Sequence, residues 1–254
     1  PVGLRTISTA DAWYFPSHGF GLLGGIWPDL TLWFAVALAR NGAHRDAVHW
    51  LEAIYDSMEA GASRNTVPGQ FAEWFDGGSQ TNRGMYLSPW TGAKYLWAVA
   101  ETVCGLDGYR TSGRPHIAPL LPPEWSWSAA VRVHWGGRRH SYVIDAERKI
   151  IVGDMDFASA DEPYRVYYAG QDVSDEIRTS PVEVAAVAFE DPQGAVLIYV
   201  CNDRERAREV TLDFRGETIR RRVEPGRMLE IRIGDPVLVD AMTTREPQEA
   251  AASV

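Results

Sequence analysis

The sequence predicts an α+β protein of more than one domain, a helical first part followed by an antiparallel β-sandwich. Three observations predict it. All ten tryptophans fall between Trp13 and Trp135, and the remaining 119 residues carry none. Near residue 105 the apolar pattern changes from a helical to an alternating period. Beyond that point, turn pairs recur between short apolar runs, with no helical stretch among them.

The first helix is expected over Leu30–Arg40, opened by Pro28 and Asp29 and closed by Asn41-Gly42. Apolar residues run nearly all round it, the mark of a buried helix. The second is expected over Arg45–Ala60, with Val48, Leu51, Ile54, Tyr55 and Met58 along one stripe and Gly61 after its end. The third runs from Thr91 to Cys104 and stops at Gly105. Between them, 62–90 has no sustained period, and such long connections are usually functional or disordered. Its five aromatics argue against disorder.

Strands are expected at Ala129–Trp135, His140–Asp145, Tyr164–Ala169, Val182–Phe189, Ala195–Cys201, Glu209–Phe214, Glu217–Val223, Met228–Ile233 and Val237–Asp240. Gly136-Gly137, Asp191-Pro192, Arg215-Gly216 and Pro225-Gly226 separate several of them. The organisation is therefore helices over 1–113, a linker over 114–127, a sandwich over 128–242 and a flexible tail over 243–254. Three helices that are apolar on all sides cannot close a core alone. Either the β domain covers them or they belong to a larger helical body, completed on the same or another chain, and the second is favoured.

Composition narrows the function classes. With 254 residues, 45% of them hydrophobic and 23% charged, the chain has the make-up of a soluble globular protein. The apolar stretch Leu30–Ala39 falls far short of the roughly 20 residues that span a bilayer, so no membrane partner is expected. The first residues carry no signal-peptide pattern, which favours the cytoplasm, although the chain opens at Pro1 without Met. A formal charge of −9, with 23 Arg and two Lys (Lys94, Lys149), disfavours nucleic acid. The run Arg220-Arg221-Arg222 reads as a solvated strand face between Glu217 and Glu224. Cys104 and Cys201 have apolar neighbours and read as buried thiols. No cofactor or metal is expected, since zinc spacing, calcium-loop oxygens and a phosphate loop are missing, and without a Gly-x-Ser-x-Gly elbow an esterase is unsupported.

The richest stretch is Gln70-Phe71-Ala72-Glu73-Trp74-Phe75-Asp76-Gly77-Gly78. It sets two carboxylates among three aromatics and follows a second cluster at Gly24-Gly25-Ile26-Trp27-Pro28-Asp29. Rings can pack on the C–H faces of a pyranose, and carboxylates can move protons or steady charge at the anomeric carbon. A carboxylate against apolar rings is also open to pKa tuning. The pattern points to a carbohydrate-active enzyme or part of one.

The order Gly25-Ile26-Trp27-Pro28-Asp29, Ala72-Glu73-Trp74-Phe75-Asp76-Gly77, then Ser88-Pro89-Trp90-Thr91-Gly92-Ala93 resembles the last third of the (α/α)6-barrel glycosidases and glycoside phosphorylases. That group includes glucoamylases, trehalases, debranching-type glucosidases and cellobiose phosphorylases. Ile117–Trp125 resembles the stretch leaving the barrel in the phosphorylase-like members, and the likeness covers roughly 15–145. It implies an inverting glycoside hydrolase with Glu73 as general base and the general acid on an earlier helix upstream. A carbohydrate substrate is expected, with Trp27, Asp29, Trp74, Asp76, Arg83, Tyr86, Trp90 and Thr91 as the candidate contacts. The phosphorylase-like members have a phosphate-binding His where this chain has Asp29, and a Thr-Gly pair matching Thr91-Gly92. A carboxylate at 29 repels phosphate, which favours hydrolysis. A glycoside phosphorylase and a non-catalytic carbohydrate-binding or structural piece are the alternatives.

Each site residue also has an ordinary account. Glu73 could pair with Arg83 in a structured loop. Asp76 precedes Gly77-Gly78 as turn residues do. Asp29 could serve the dipole of the first helix. Trp33, Trp50 and Trp97 read as core, and Trp125, Trp127 and Trp135 as packing between domains. His18 and His44 read as ordinary residues.

Overall fold

The computed structural model describes residues 1–107, 115–135, 137–154, 158–159 and 164–240. The tail expected at 243–254, the first linker residue Arg114 and the turn residue Gly136 lie outside the described residues. The protein is α+β, with three α-helices and mostly antiparallel sheets among the described residues. It divides into two compact units: Pro1–Gly105 with Leu120–Pro122, and Leu106–Pro119 with Pro123–Val254.

The first unit holds α1 (Pro28–Arg40), α2 (His44–Glu59) and α3 (Pro89–Glu101). Proline opens α1 and α3, where its missing N–H costs no helical bond. The Ser88 hydroxyl caps α3, accepting the Thr91 N–H at 3.3 Å. At the end of α1, the Gly42 N–H donates to the Ala39 carbonyl at 3.0 Å. Leu32, Ala35, Val36, Leu51, Ile54 and Ala98 form the shared core, and each fully buried Leu or Ile contributes about 1.5–3 kcal/mol relative to exposure. The His44 Nδ1–H donates to the Leu121 carbonyl at 2.9 Å.

The outer face of α1 is different. Leu30, Trp33 and Phe34, spaced as neighbours on one side of a helix, are exposed, as is Leu96 on α3. Trp33, expected in the core, is 56% exposed, with its ring 5.7 Å from that of Trp97. The reason is arithmetical. Two neighbouring helices can cover only part of a helix that is apolar on every side.

The second unit carries β1 (Leu106–Asp107), β2 (His116–Ile117), β3 (Trp127–Trp135), β4 (Arg138–Asp145), β5 (Ile150–Gly153), β6 (Ala158–Ser159), β7 (Arg165–Tyr168) and β8 (Gln171–Asp172). It continues with β9 (Ile177–Ser180), β10 (Ala185–Glu190), β11 (Val196–Cys201), β12 (Arg208–Phe214), β13 (Glu217–Val223), β14 (Met228–Ile233) and β15 (Val239–Asp240). Three sheets, ordered β15-β7-β5-β4-β3, β14-β11-β10-β8 and β13-β12-β9, form most of it. The strand β2, inside the expected linker, pairs with β1 and β6.

The middle sheet is buried on both faces. Val196, Ile198 and Val200 pack with Val210, Leu212 and Phe214. Leu197 and Tyr199 point the other way, to Val143 and Val152. A strand covered on both sides needs a continuous apolar run, which is what Val196–Cys201 provides. Burial pushes the Cys201 thiol up to about 12 and the Cys104 thiol up to about 11. Among the described residues no helix is long and apolar enough to cross a membrane.

Candidate functional site

A small backbone ladder brings the two aromatic and acidic stretches side by side. Ile26 and Phe75 form an antiparallel bridge, each N–H donating to the other's carbonyl at 2.8 Å. The ladder extends from Ile26 to Arg5 and from Phe75 to Asn82. Ile26 and Phe75 are fully buried and cluster with Val2 and Ala72. Glycine makes the approach possible, because a Cβ on Gly77 would overlap the Gly24 carbonyl oxygen. Gly24 and Gly77 are thus the points at which two loops meet.

Residues 71–76 and 81–88 form an irregular hairpin. The Glu73 N–H donates to the Met85 carbonyl at 3.0 Å, the Arg83 N–H to the Trp74 carbonyl at 3.1 Å, and the Ser88 N–H to the Phe71 carbonyl at 2.7 Å. Asp76 closes the tip, where its Oδ1 accepts the Gly78 N–H at 2.8 Å and the Ser79 N–H at 2.7 Å. Burial pushes the Asp76 carboxyl up. Hydrogen bonds from the Ser17 hydroxyl and the Ser79 and Gly78 N–H groups outweigh that and hold it below its ordinary value.

Glu73 is half-buried. Its Oε2 accepts the Met85 N–H at 2.9 Å, while Oε1 has no hydrogen-bond partner among the described residues and is not sealed from solvent. The pairing of Glu73 with Arg83 that the sequence allows is not formed; Arg83 is exposed and the carboxylate is held by backbone instead. Gly84 is required here, since an added Cβ would stand 2.8 Å from Glu73 Oε2 and 2.5 Å from Trp74 Cδ1.

The other expected site residues divide in two. Trp90, Tyr86 and Arg83 are exposed, and Trp27 is half-buried. The Tyr86 hydroxyl donates to Asn65 Oδ1 at 3.0 Å, and the Trp27 indole N–H donates to the Phe20 carbonyl at 3.1 Å. Asp29, Trp74, Asp76 and Thr91 are buried. Trp74 lies against Gly21 and Gly84. The Thr91 hydroxyl is 2.9 Å from that of Ser88. Trp74 and Asp76 lie inside the loop cluster, whereas Asp29 and Thr91 stand in the first turns of α1 and α3.

Asp29 stands in the first turn of α1, where a carboxylate suits the helix dipole, and is not an open acceptor. Its Oδ2 accepts from Lys94 Nζ at 2.8 Å, tying α1 to α3, and the ammonium lies 5.4 Å from the Trp33 ring centre. Its Oδ1 is buried without a partner. Lys94 was missed by sequence reasoning, although it is one of only two lysines in a chain that otherwise uses arginine. Asn82 was missed as well. Buried in the hairpin, it accepts the Gly84 N–H at 2.9 Å and leaves Nδ2 unpartnered. Lys94 is unmarked because its partner is 65 positions away, whereas the Asn82-Arg83-Gly84 turn is a local pattern that was passed over.

Among the described residues, no group of three or more His, Cys, Asp or Glu side chains is placed to hold a metal ion. Comparison with known proteins finds no matching family model, no matching curated protein and no matching solved structure. The chemistry that the arrangement offers is that of a carboxylate with one oxygen anchored by a backbone N–H and the other available to take a proton.

Proposed function

We propose that this chain carries the general-base half of an inverting glycoside hydrolase. Glu73 Oε1 removes a proton from water as that water attacks the anomeric carbon of a bound glycoside. The observation that carries the proposal is the division of labour within the carboxylate. Met85 fixes Oε2 and so orients the group, while Oε1 stays unbonded. The general acid is assigned to an earlier helix of an (α/α)6 barrel, roughly 6.5–9.5 Å from Glu73, so that water fits between base and sugar. The exposed apolar face of α1 supports a larger helical body around the three helices. The β-rich unit is then the sandwich that follows the barrel.

Within this proposal Trp27, Arg83, Tyr86 and Trp90 meet the sugar. Trp74 and Asp76 hold the loops behind them, Asp29 ties α1 to α3 and Thr91 bonds Ser88 at the start of α3. The enzyme in its complete form is to be mixed with a glycoside in phosphate-free buffer, and the first-formed product followed by proton NMR. Release of the opposite anomer supports the proposal. A strict requirement for phosphate and a sugar 1-phosphate product contradict it and establish a phosphorylase. That rival keeps some standing because Lys94 offsets the Asp29 charge, so the carboxylate alone does not repel phosphate strongly. Sugar binding without turnover would leave a non-catalytic module.

A further inference from the structure

The second unit contains a cavity of about 320 Å³ walled by Glu124, Trp125, Ser126, Trp127, Ser128, Asp203 and Gly226. Its volume is at the lower end of ligand sites, which run roughly 300–1,000 Å³, with room for roughly one or two pyranose rings. The two indoles lie at the start of β3, in a stretch expected to pack between domains. Trp125 is the more open, at 37% exposed, while the side chain of Trp135 lies outside the described residues.

The walls are fixed. The Trp127 indole N–H donates to the Gly226 carbonyl at 3.0 Å, and the Ser126 hydroxyl donates to the same oxygen at 3.4 Å. Asn202, fully buried, ties the loop bearing Asp203 to the turn bearing Gly226. Its Nδ2 donates to the Val223 and Glu224 carbonyls at 3.0 and 3.1 Å, and the Asn202 N–H donates to the Arg227 carbonyl at 3.0 Å. A site whose walls are already ordered loses little conformational entropy on binding.

We infer that this cavity is a second saccharide site, separate from Glu73, which takes a neutral hexose or short oligosaccharide. The open face of Trp125 stacks on the C–H face of the ring, and the Asp203 carboxylate and Ser128 hydroxyl meet sugar hydroxyls. A cationic ligand fits less well. Arg204 Nε lies 3.2 Å from Asp203 and offsets its charge, and the Trp127 N–H edge is committed to Gly226. Cation recognition by aromatic rings relies on several open ring faces, and here Trp127 is half-buried.

The test is saturation-transfer NMR on the full chain with maltose, cellobiose and glucose, set against choline. At least one of the sugars is expected to bind, with about tenfold weaker affinity in Trp125→Ala and a smaller loss in Asp203→Asn. Glu73→Gln is expected to leave this binding unchanged, so failure of the hydrolase proposal does not count against the site. Thermal unfolding of both variants checks that the fold is kept. Binding of choline alone, absence of binding by every sugar, or sugar binding unaffected by both substitutions would each overturn the inference.

Discussion

Ile26 and Phe75, 49 positions apart (75 − 26), exchange both backbone hydrogen bonds at 2.8 Å. This one pairing turns two separate aromatic and acidic stretches into a single loop cluster. It is sealed by the close approach of Gly77 to Gly24.

Gly77→Ala should therefore lower stability by roughly 1–3 kcal/mol, the usual range for overpacking a tight contact. The cost arises because a Cβ there collides with backbone rather than with a side chain that could turn away. Urea unfolding measures it. An unchanged midpoint would mean that the two loops do not touch.

Gly84→Ala is expected to act on both folding and turnover, because its Cβ would stand 2.5 Å from Cδ1 of the buried Trp74 as well as against Glu73. Its Cβ would press on Glu73 Oε2 and displace the carboxylate from the Met85 N–H. A catalytic group moved by even a fraction of an ångström loses much of its effect. Steady-state kinetics should show a fall in kcat with little change in KM, and an equal change in both would place Gly84 in substrate binding instead.

Lys94→Met should destabilise the helical unit by about 2–3 kcal/mol, since it leaves Asp29 buried without its partner. Asp29→Asn in the same chain should restore most of that loss. A double-mutant cycle by urea unfolding gives the coupling directly, and additive effects would show that the ion pair is immaterial.

Acid should expose the role of Asp76. Its carboxyl is held below the ordinary value of 3.8, so the charged form is favoured by folding. The resulting stability is present above that value and is lost as pH falls through the lowered folded value. Asp76→Asn keeps an acceptor for Gly78 and Ser79 but removes the titration. Unfolding measured from pH 7 to pH 2 should therefore show a shallower acid limb for the variant. Parallel curves would exclude Asp76 from the acid response.

The helices were legible because their ends carry strong chemistry. Pro28 and Pro89 open α1 and α3, Asn41-Gly42 closes α1, and the observed bounds fall within three residues of those expected. Most strands were legible from alternation. Neither β5 nor β9 was: Ile150–Gly153 is a short unalternating run, paired in parallel with β7 and in antiparallel with β4, and Ile177–Ser180 carries a single apolar residue. The third layer of sheet was hidden for a related reason, since Val196–Cys201 reads equally well as a strand of a two-sheet sandwich. At the site, Glu73 and its aromatic neighbours stood out, but the Met85 anchor is a backbone group and leaves no trace in side-chain pattern. The Asp29–Lys94 pair spans 65 positions, and Trp33 was misplaced because an apolar helix does not announce which face is left bare.

The central claim is that Glu73 acts as the general base, and kcat of Glu73→Gln in the complete enzyme tests it most directly. The substitution preserves size and an acceptor for Met85 but cannot take a proton. A fall of roughly 10²–10⁴-fold in kcat with unchanged thermal unfolding is the expected result. A kcat close to that of the unsubstituted enzyme would contradict it.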